Sequence, residues 1–338
     1  MLNEVAPGIF MDTLKTGYVG VPSLNYFFVP GKPGHRSLMV DAGLSENVSP
    51  LGKDMLIKDL RGLHIPFEGL DCIITHAHRD HVGLAHFLND AGAEVYINPV
   101  EMKTSEEQYN YHVGHPELRK KLFHRIGVEL YDPESYEDMW RAADNFVEGF
   151  HDSWIFDWDA IHPGDEVCYG DYHFRLVLLP GHTRGHMGLW DKEKQILFSG
   201  DVLIRGVTPI VGDTGDYHGA LEDYLDSLRD VKHVYGDCLF LPGHGKPFRD
   251  PAEIVDKTVN AYLEKCSAMY DIIRKSEEPL CIRAVAVRAY GREGKKMTDA
   301  ERRSCILIWF KTAACLNYMK HRGLVKETVT DGVSMWSV

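Results

Sequence analysis

Between Thr75 and Gly83 the chain reads THAHRDHVG, which places three imidazoles and a carboxylate within six residues. His76 and His78 follow a short apolar run, DCIIT (71–75), and stand two residues apart, so in extended chain they point the same way and can share one ion. Asp80 and His81 follow where a helix is expected to begin, and they turn toward a neighbouring ion. Imidazole nitrogen with carboxylate oxygen suits Zn²⁺, and equally Fe or Mn. A His-x-His-x-Asp-His hexad arises by composition in well under ~1% of chains this size, so the cluster needs an explanation that any one histidine would not. Three more fragments run an apolar strand into a small-residue turn and then present His or Asp: LPGHTRGH (179–186), FSGDVL (198–203) and LPGHGKP (241–247). Glycine permits the sharp turn, and a sheet edge of this kind delivers side chains from several strands to one rim. His182, Asp201 and His244 are therefore the further candidate ligands. His186 reads equally as a hydrogen-bonding or a substrate-facing residue. Arg184 and Arg205, close in sequence to these loops, are candidates for a substrate carboxylate or phosphate, against the plainer reading of surface ion pairs.

The elements that must hold these residues are short. LNYFFV (24–29), SLMVDAG (37–43), EVYIN (94–98), DYHFRLVLLPG (171–181), GLWDK (188–192), KQILFSG (194–200) and CLFLPG (238–243) read as strands. Helices are expected over 50–61, 83–90, 220–231 and 252–276. Mixed elements in this order predict an α/β protein with sheets covered by helices. Residues 100–165 are amphipathic and helical in character and too long for a loop, so they predict a helical insertion that caps something. Tyr109, Tyr111, His112, His115, Trp154 and Trp158 could line a pocket there, although aromatics in such helices more often pack. The tail reads helix, helix, hairpin, with Gly323 as a helix stop and Asp331-Gly332 as the hairpin turn. That order is winged-helix-like. The expected division is a domain over 1–250 and a linking helix with a small winged-helix-like domain over 251–338.

Composition is that of a globular protein, 44% hydrophobic and 26% charged in 338 residues. No apolar run approaches the roughly 18–20 residues that cross a bilayer, and MLNEVAPGIF lacks the basic and apolar regions of a signal peptide. Seven cysteines, an odd number without CxxC pairing, read as reduced thiols of a cytoplasmic protein. The net charge of −13 divides unevenly, with +6 in residues 281–338 and −19 elsewhere. So acidic a body disfavours a polyphosphate partner unless the cleft is locally basic. The basic tail is expected to pack or to form a homodimer rather than to grip nucleic acid.

With MVDAG (39–43), the four motif fragments resemble the motif series of the metallo-β-lactamase superfamily. The resemblance implies a four-layer αβ/βα sandwich with two divalent metal ions, Zn²⁺ first among them, along one edge. It implies that His76, His78 and His182 hold the first ion, that Asp80, His81 and His244 hold the second, and that Asp201 bridges. Asp41 would orient the histidine-rich loop. A third ligand of each ion that is His rather than Cys resembles hydroxyacylglutathione hydrolases more than secreted β-lactamases. GDVLIRGVTPIVGD (200–213), YLDSL (224–228) and the tail look like a branch with a C-terminal winged helix, whose members are linked to thioester hydrolysis and in some cases RNA cleavage. The implied activity is attack on an ester or thioester of a small molecule, acyl-CoA or acylglutathione in kind, by metal-held hydroxide, with Asp80 and Asp201 as catalytic carboxylates. An endoribonuclease or phosphodiesterase is the alternative, and a non-catalytic ligand sensor with a vestigial site is the third reading.

Overall fold

LNYFFV is apolar at almost every position, which is the pattern of a strand buried on both faces rather than on one. The computed structural model bears this out. It describes residues 2–18, 21–109, 116–131, 155–213, 217–292 and 299–338, with residues 133, 136–138, 140, 141 and 215. Seven strands make a first sheet in chain order: β1 (Asn3–Ala6), β2 (Ile9–Tyr18), β3 (Val21–Val29), β4 (Ser37–Val40), β5 (Leu70–Ile73), β6 (Glu94–Ile97) and β7 (Asp159–Ala160). The first four pair antiparallel, and β4 to β7 are parallel. A second sheet has β8 (Glu166–Tyr169), β9 (Tyr172–Leu178), β10 (Met187–Asp191), β11 (Ile196–Gly200) and β12 (Leu239–Pro242) in the order β12-β11-β10-β9-β8. All its neighbours are antiparallel except β11 and β12.

The side-chain period of two explains the core. Phe27 and Val29 face the second sheet and join Val40, Ile73, Phe174, Leu189 and Phe198. Phe198 takes Phe27 and Phe174 edge-on, with ring centroids 5.3 and 5.4 Å away. Tyr26 and Phe28 face the other way and meet Leu56 and Leu60 of α1 (Pro50–Gly62), Val82 of α2 (Arg79–Val82) and Leu88 of α3 (Ala85–Asp90). The helix Ala220–His233 reaches the turn that follows β9 through Ser227, whose hydroxyl donates to the Pro180 carbonyl at 2.7 Å. Helices, sheet, sheet and helix form the expected αβ/βα layers.

The structure adds what the sequence reading leaves out. β1 and β2 precede the first expected strand; their exposed and mixed residues give no clear alternation. The helix expected over 83–90 is α3, and the single-turn α2 precedes it.

The chain divides into two compact units, Met1–Glu107, Gly149–Pro209 and Ser227–Val255 in one, and Gln108–Glu148, Ile210–Asp226 and Asp256–Val338 in the other. The first contains both sheets. The stretch 100–165 is thus shared between the units. Within the second, α5 (Pro116–Ile126), α6 (Val128–Tyr131) and the helices Ile282–Ala289 and Asp299–His321 accompany a three-stranded sheet. That sheet is β13 (Leu280–Cys281), β15 (Val333–Ser337) and β14 (Lys326–Thr330), antiparallel throughout. Trp309 and Trp336 are fully buried in this unit, and Phe123 meets Trp309 edge-on at 5.4 Å. Among the described residues no helix is long and apolar enough to cross a membrane.

Candidate metal centre

Because β4 and β5 are parallel, as are β11 and β12, their C-terminal ends deliver successive loops to one rim of the sandwich. β4 ends in Asp41, β5 runs into Thr75 and His76, β11 ends beside Asp201 and β12 beside His244. The turn after β9 carries His182 and His186.

Two groups of donors converge there. In the first, His76 Nε2 and His182 Nε2 lie 2.9 and 3.0 Å from His78 Nδ1. Three nitrogens around a tetrahedral ion with bonds of about 2.0–2.1 Å would stand about 3.3 Å apart, so the triad needs only slight opening. In the second, His244 Nε2 lies 3.4 Å from Asp80 Oδ2, and His81 Nε2 lies 3.8 Å from the same oxygen. Asp201 stands between: its Oδ2 is 3.7 Å from His182 Nε2 and 3.1 Å from His244 Nε2, and its Oδ1 is 3.7 Å from His81 Nε2. The last two atoms are buried and have no hydrogen-bond partner. A buried nitrogen and a buried carboxylate oxygen facing each other beyond hydrogen-bond length fit a cation held between them. His76, His78 and His182, then His76, His81 and Asp201, then Asp80, His81 and His244 each bring three donor atoms close enough to hold an ion.

Electrostatics separates the groups. Burial, then neighbouring imidazoles, pushes His76 well below its ordinary value and His78 down to about 3. The neutral form of these rings, the form that can ligate a cation, is thereby favoured. Burial would also lower His81 and His244, but the carboxylates outweigh it. Asp41, Asp201 and Asp80 raise His81 well above its ordinary value, and Asp201 and Asp80 raise His244 to about 10. Against the opposing effect of burial, the same pairings lower Asp80 and hold Asp201 well below the usual carboxylate range. Protons on His81 and His244 occupy the place of cationic charge.

Two of the donors are aimed by a second contact. Asp41, at a positive φ of 62°, accepts from the Thr75 amide at 2.7 Å and faces His81 Nδ1 at 2.8 Å, which turns His81 Nε2 inward. His244 Nδ1 meets the Ser23 carbonyl at 2.6 Å with the same effect. Gly243 must lack a side chain, since a Cβ there would stand 2.6 Å from His81 and 2.7 Å from Asp201 Oδ1. His186 is fully buried, and its Nε2 accepts the Asp201 amide at 3.0 Å. It therefore braces the Asp201 turn. Arg184 is half-buried and electrostatically coupled to Glu101. Arg205 is exposed, with its guanidinium 5.3 Å over the Phe248 ring, and is not among the converging groups. Tyr111, His112, His115 and Trp154 lie outside the described residues, as does the side chain of Tyr109; Trp158 is partly exposed.

The sequence reading misses three residues of this centre. Asn25 donates from Nδ2 to the Pro242 and Gly245 carbonyls, both at 2.8 Å, and so ties β3 to the His244 loop. An asparagine inside LNYFFV is the signal that could have found it. Glu101 and Asn98 brace the histidine loops (below); an acidic residue in the first turn of a helix reads only as a dipole partner.

A two-sheet α/β sandwich with imidazole and carboxylate donors gathered at its strand ends defines a metal-binding class of protein. Residues 20–244 match the metallo-β-lactamase superfamily, and the chain belongs to that superfamily. Acyl-coenzyme A thioesterase MBLAC2 of Gallus gallus is 30% identical over 257 residues, 73% of this chain and 81% of its own length. The β-lactamase-like protein 2 homolog of Caenorhabditis elegans is 25% identical over 72% of this chain, and the hydroxyacylglutathione hydrolase GloC of Haemophilus influenzae is 29% identical over 40% of it. The chain spans 64% and 65% of those two relatives' lengths. Crystal structures of a metallo-β-lactamase family protein from Thermus thermophilus and a β-lactamase domain protein from Burkholderia ambifaria share the fold. Their TM-scores are 0.78 and 0.80 at 20% identity, and each alignment covers 99% of this chain and 99% or 94% of the other.

Proposed function

We propose that the protein is a binuclear metal-dependent hydrolase of a small-molecule ester or thioester, of the acyl-coenzyme A or acylglutathione class. His76, His78 and His182 would hold one divalent ion and Asp80, His81 and His244 the other, with Asp201 shared. Zn²⁺ suits the donors best, and Fe or Mn is compatible. The observation that carries this reading is the position of Asp201 Oδ2, within 3.7 Å of one donor group and 3.1 Å of the other. Two such ions, when bound, supply Lewis acidity: they ionise water near neutral pH and draw electron density from a carbonyl. The chain's own residues do the rest. Asp41 and the Ser23 carbonyl fix the ring orientations of His81 and His244. Asp80, held ionised beside them, would take a proton and return it to a departing thiol or alcohol.

Two observations favour a small acyl substrate over RNA. Relatives at 30% and 29% identity are named acyl-coenzyme A thioesterase and hydroxyacylglutathione hydrolase. Several cations of the basic tail are also engaged internally. Arg283 is buried, Lys320 pairs with Glu327 at 2.7 Å, Arg322 lies 3.4 Å from Glu222, and Lys311 stands over the Tyr262 ring at 4.3 Å. The test is hydrolysis by metal-reconstituted protein of acyl-CoA and acylglutathione thioesters, lactones, bis-p-nitrophenyl phosphate and single-stranded RNA, with His78→Ala as control. Turnover of thioesters, lost by at least about a hundredfold in the control, is expected. Cleavage of RNA alone, lost in the same control, would replace this reading with the nuclease one.

A further inference from the structure

Glu101 lies in the first turn of α4 (Pro99–Tyr109), is 2% exposed, and belongs to neither donor group. Its Oε2 accepts the Ala77 amide at 2.8 Å and its Oε1 the Gly185 amide at 2.6 Å. Ala77 is the residue between His76 and His78. Gly185 is the residue before His186 and three after His182. One carboxylate therefore joins the loop from the first sheet to the loop from the second, and each loop carries histidines of the first donor group. Asn98 completes the joint: Nδ2 donates to the Gly185 carbonyl at 2.9 Å, while Oδ1 accepts the Val100 amide at 3.1 Å and caps α4. The fit is tight. A Cβ on Gly185 would stand 3.0 Å from Asn98 Nδ2, Glu101 Oε1 and Val100 Cβ alike.

The second donor group has other braces, Asp41 on His81 and the Ser23 carbonyl on His244, and none of them passes through α4. We infer that Glu101, seated by Asn98, is the positioning residue that sets the spacing of His76, His78 and His182, so that α4 tunes the affinity of that one ion without touching it. This rests on the reading of those three histidines as ligands of one ion. A buried carboxylate that accepts two amide protons makes strong, directional contacts. Glutamine in its place keeps the shape but must turn an NH₂ toward one of the two amides. Donor would then face donor, and one loop would be released.

The experiment is equilibrium metal titration against a chromophoric chelator, followed by the visible ligand-field spectrum of the cobalt(II)-loaded protein. His78→Ala and His244→Ala each remove one binding step of the wild type and so assign the two steps. In Glu101→Gln, and separately in Gly185→Ala, the step assigned to His78 should weaken roughly 10–100-fold and the cobalt bands of that step should shift, while the other step moves less than about threefold. Two steps that match the wild type in both variants, or two that weaken alike, would overturn the inference. A wild type that binds no ion fails the metal-centre reading itself and takes this inference with it, a failure seen before any variant is made.

Discussion

At the scale of single residues, the centre shows how burial and charge decide which histidines serve which purpose. His186 and His76 are equally buried and both held neutral, yet His186 spends Nε2 on a backbone amide and has no donor atom among the converging groups. His81, equally buried, is pushed the other way because three carboxylates surround it. Asp59, remote from these donors, shows the same competition with a carboxyl group. On α1, it is buried beside Asp12, and its Oδ2 and the nearby Tyr26 hydroxyl lack hydrogen-bond partners. Burial first, then the charge of Asp12, raises it from 3.8 to about 6, although Lys58 opposes the shift. The native state thus keeps a proton that the unfolded chain has released, and stability falls as pH rises from near 3.8 through about 6, then levels off. Asp59→Asn removes the penalty. Its gain in melting temperature over wild type should be larger at about pH 7.5 than at about pH 5. Equal gains at both pH values would show that Asp59 does not titrate in this window.

At the scale of elements, the sheets supply the rim and a few polar contacts set its register. Asn25 is the strongest case, because a β3 side chain holds the turn after β12 by two donated hydrogen bonds, and its own amide donates to the Gly243 carbonyl at 2.9 Å. Asn25→Ala leaves two carbonyls short of a partner and should cost about 1–3 kcal/mol in urea unfolding. Asn25→Asp, which keeps the shape but reverses the donor, should cost at least as much. A loss below about 0.5 kcal/mol in both would mean that water replaces the amide. Nearly every strand that ends at the rim was legible in the sequence, because apolar runs stopping at Gly, Pro or Asp report both a buried strand and its end. Of the candidate donors, His182, Asp201 and His244 stand just past such a stop, whereas His76, His78, Asp80 and His81 are marked by their spacing after DCIIT. The hairpin was legible too: Asp331 and Gly332 take the positive φ values, 50° and 83°, that Asp-Gly turns favour. What failed to show was anything carried by partners distant in sequence. Glu101 touches Ala77 and Gly185, 24 and 84 residues away, and nothing local marks it. The grouping of 108–148 with the tail was hidden likewise, since amphipathic helices advertise an apolar face but not its partner.

At the scale of the whole molecule, charge links the centre to its surroundings. An acidic chain with a net charge of −13 draws divalent cations toward any site with open donors. Without metal, the second donor group neutralises its carboxylates by protonating His81 and His244. Loading must expel those two protons, because an imidazole cannot ligate through a protonated nitrogen. His76 and His78, already neutral, have none to give. Calorimetric titration of metal into metal-free protein at about pH 7.5, repeated in buffers of different ionisation enthalpy, should therefore report release of about two protons for two ions bound. The melting temperature should rise with free metal and fall on chelation, with stabilisation of about 2.7 kcal/mol at a hundredfold excess over Kd. His244→Ala, which removes the binding step of the second group, should abolish the release, and His78→Ala should leave the protons of the remaining ion unchanged. No release in the wild type would mean that the ions bind elsewhere or that the carboxylates share their charge with solvent. Either outcome would move the hydrolytic centre away from the Asp80, His81 and His244 group.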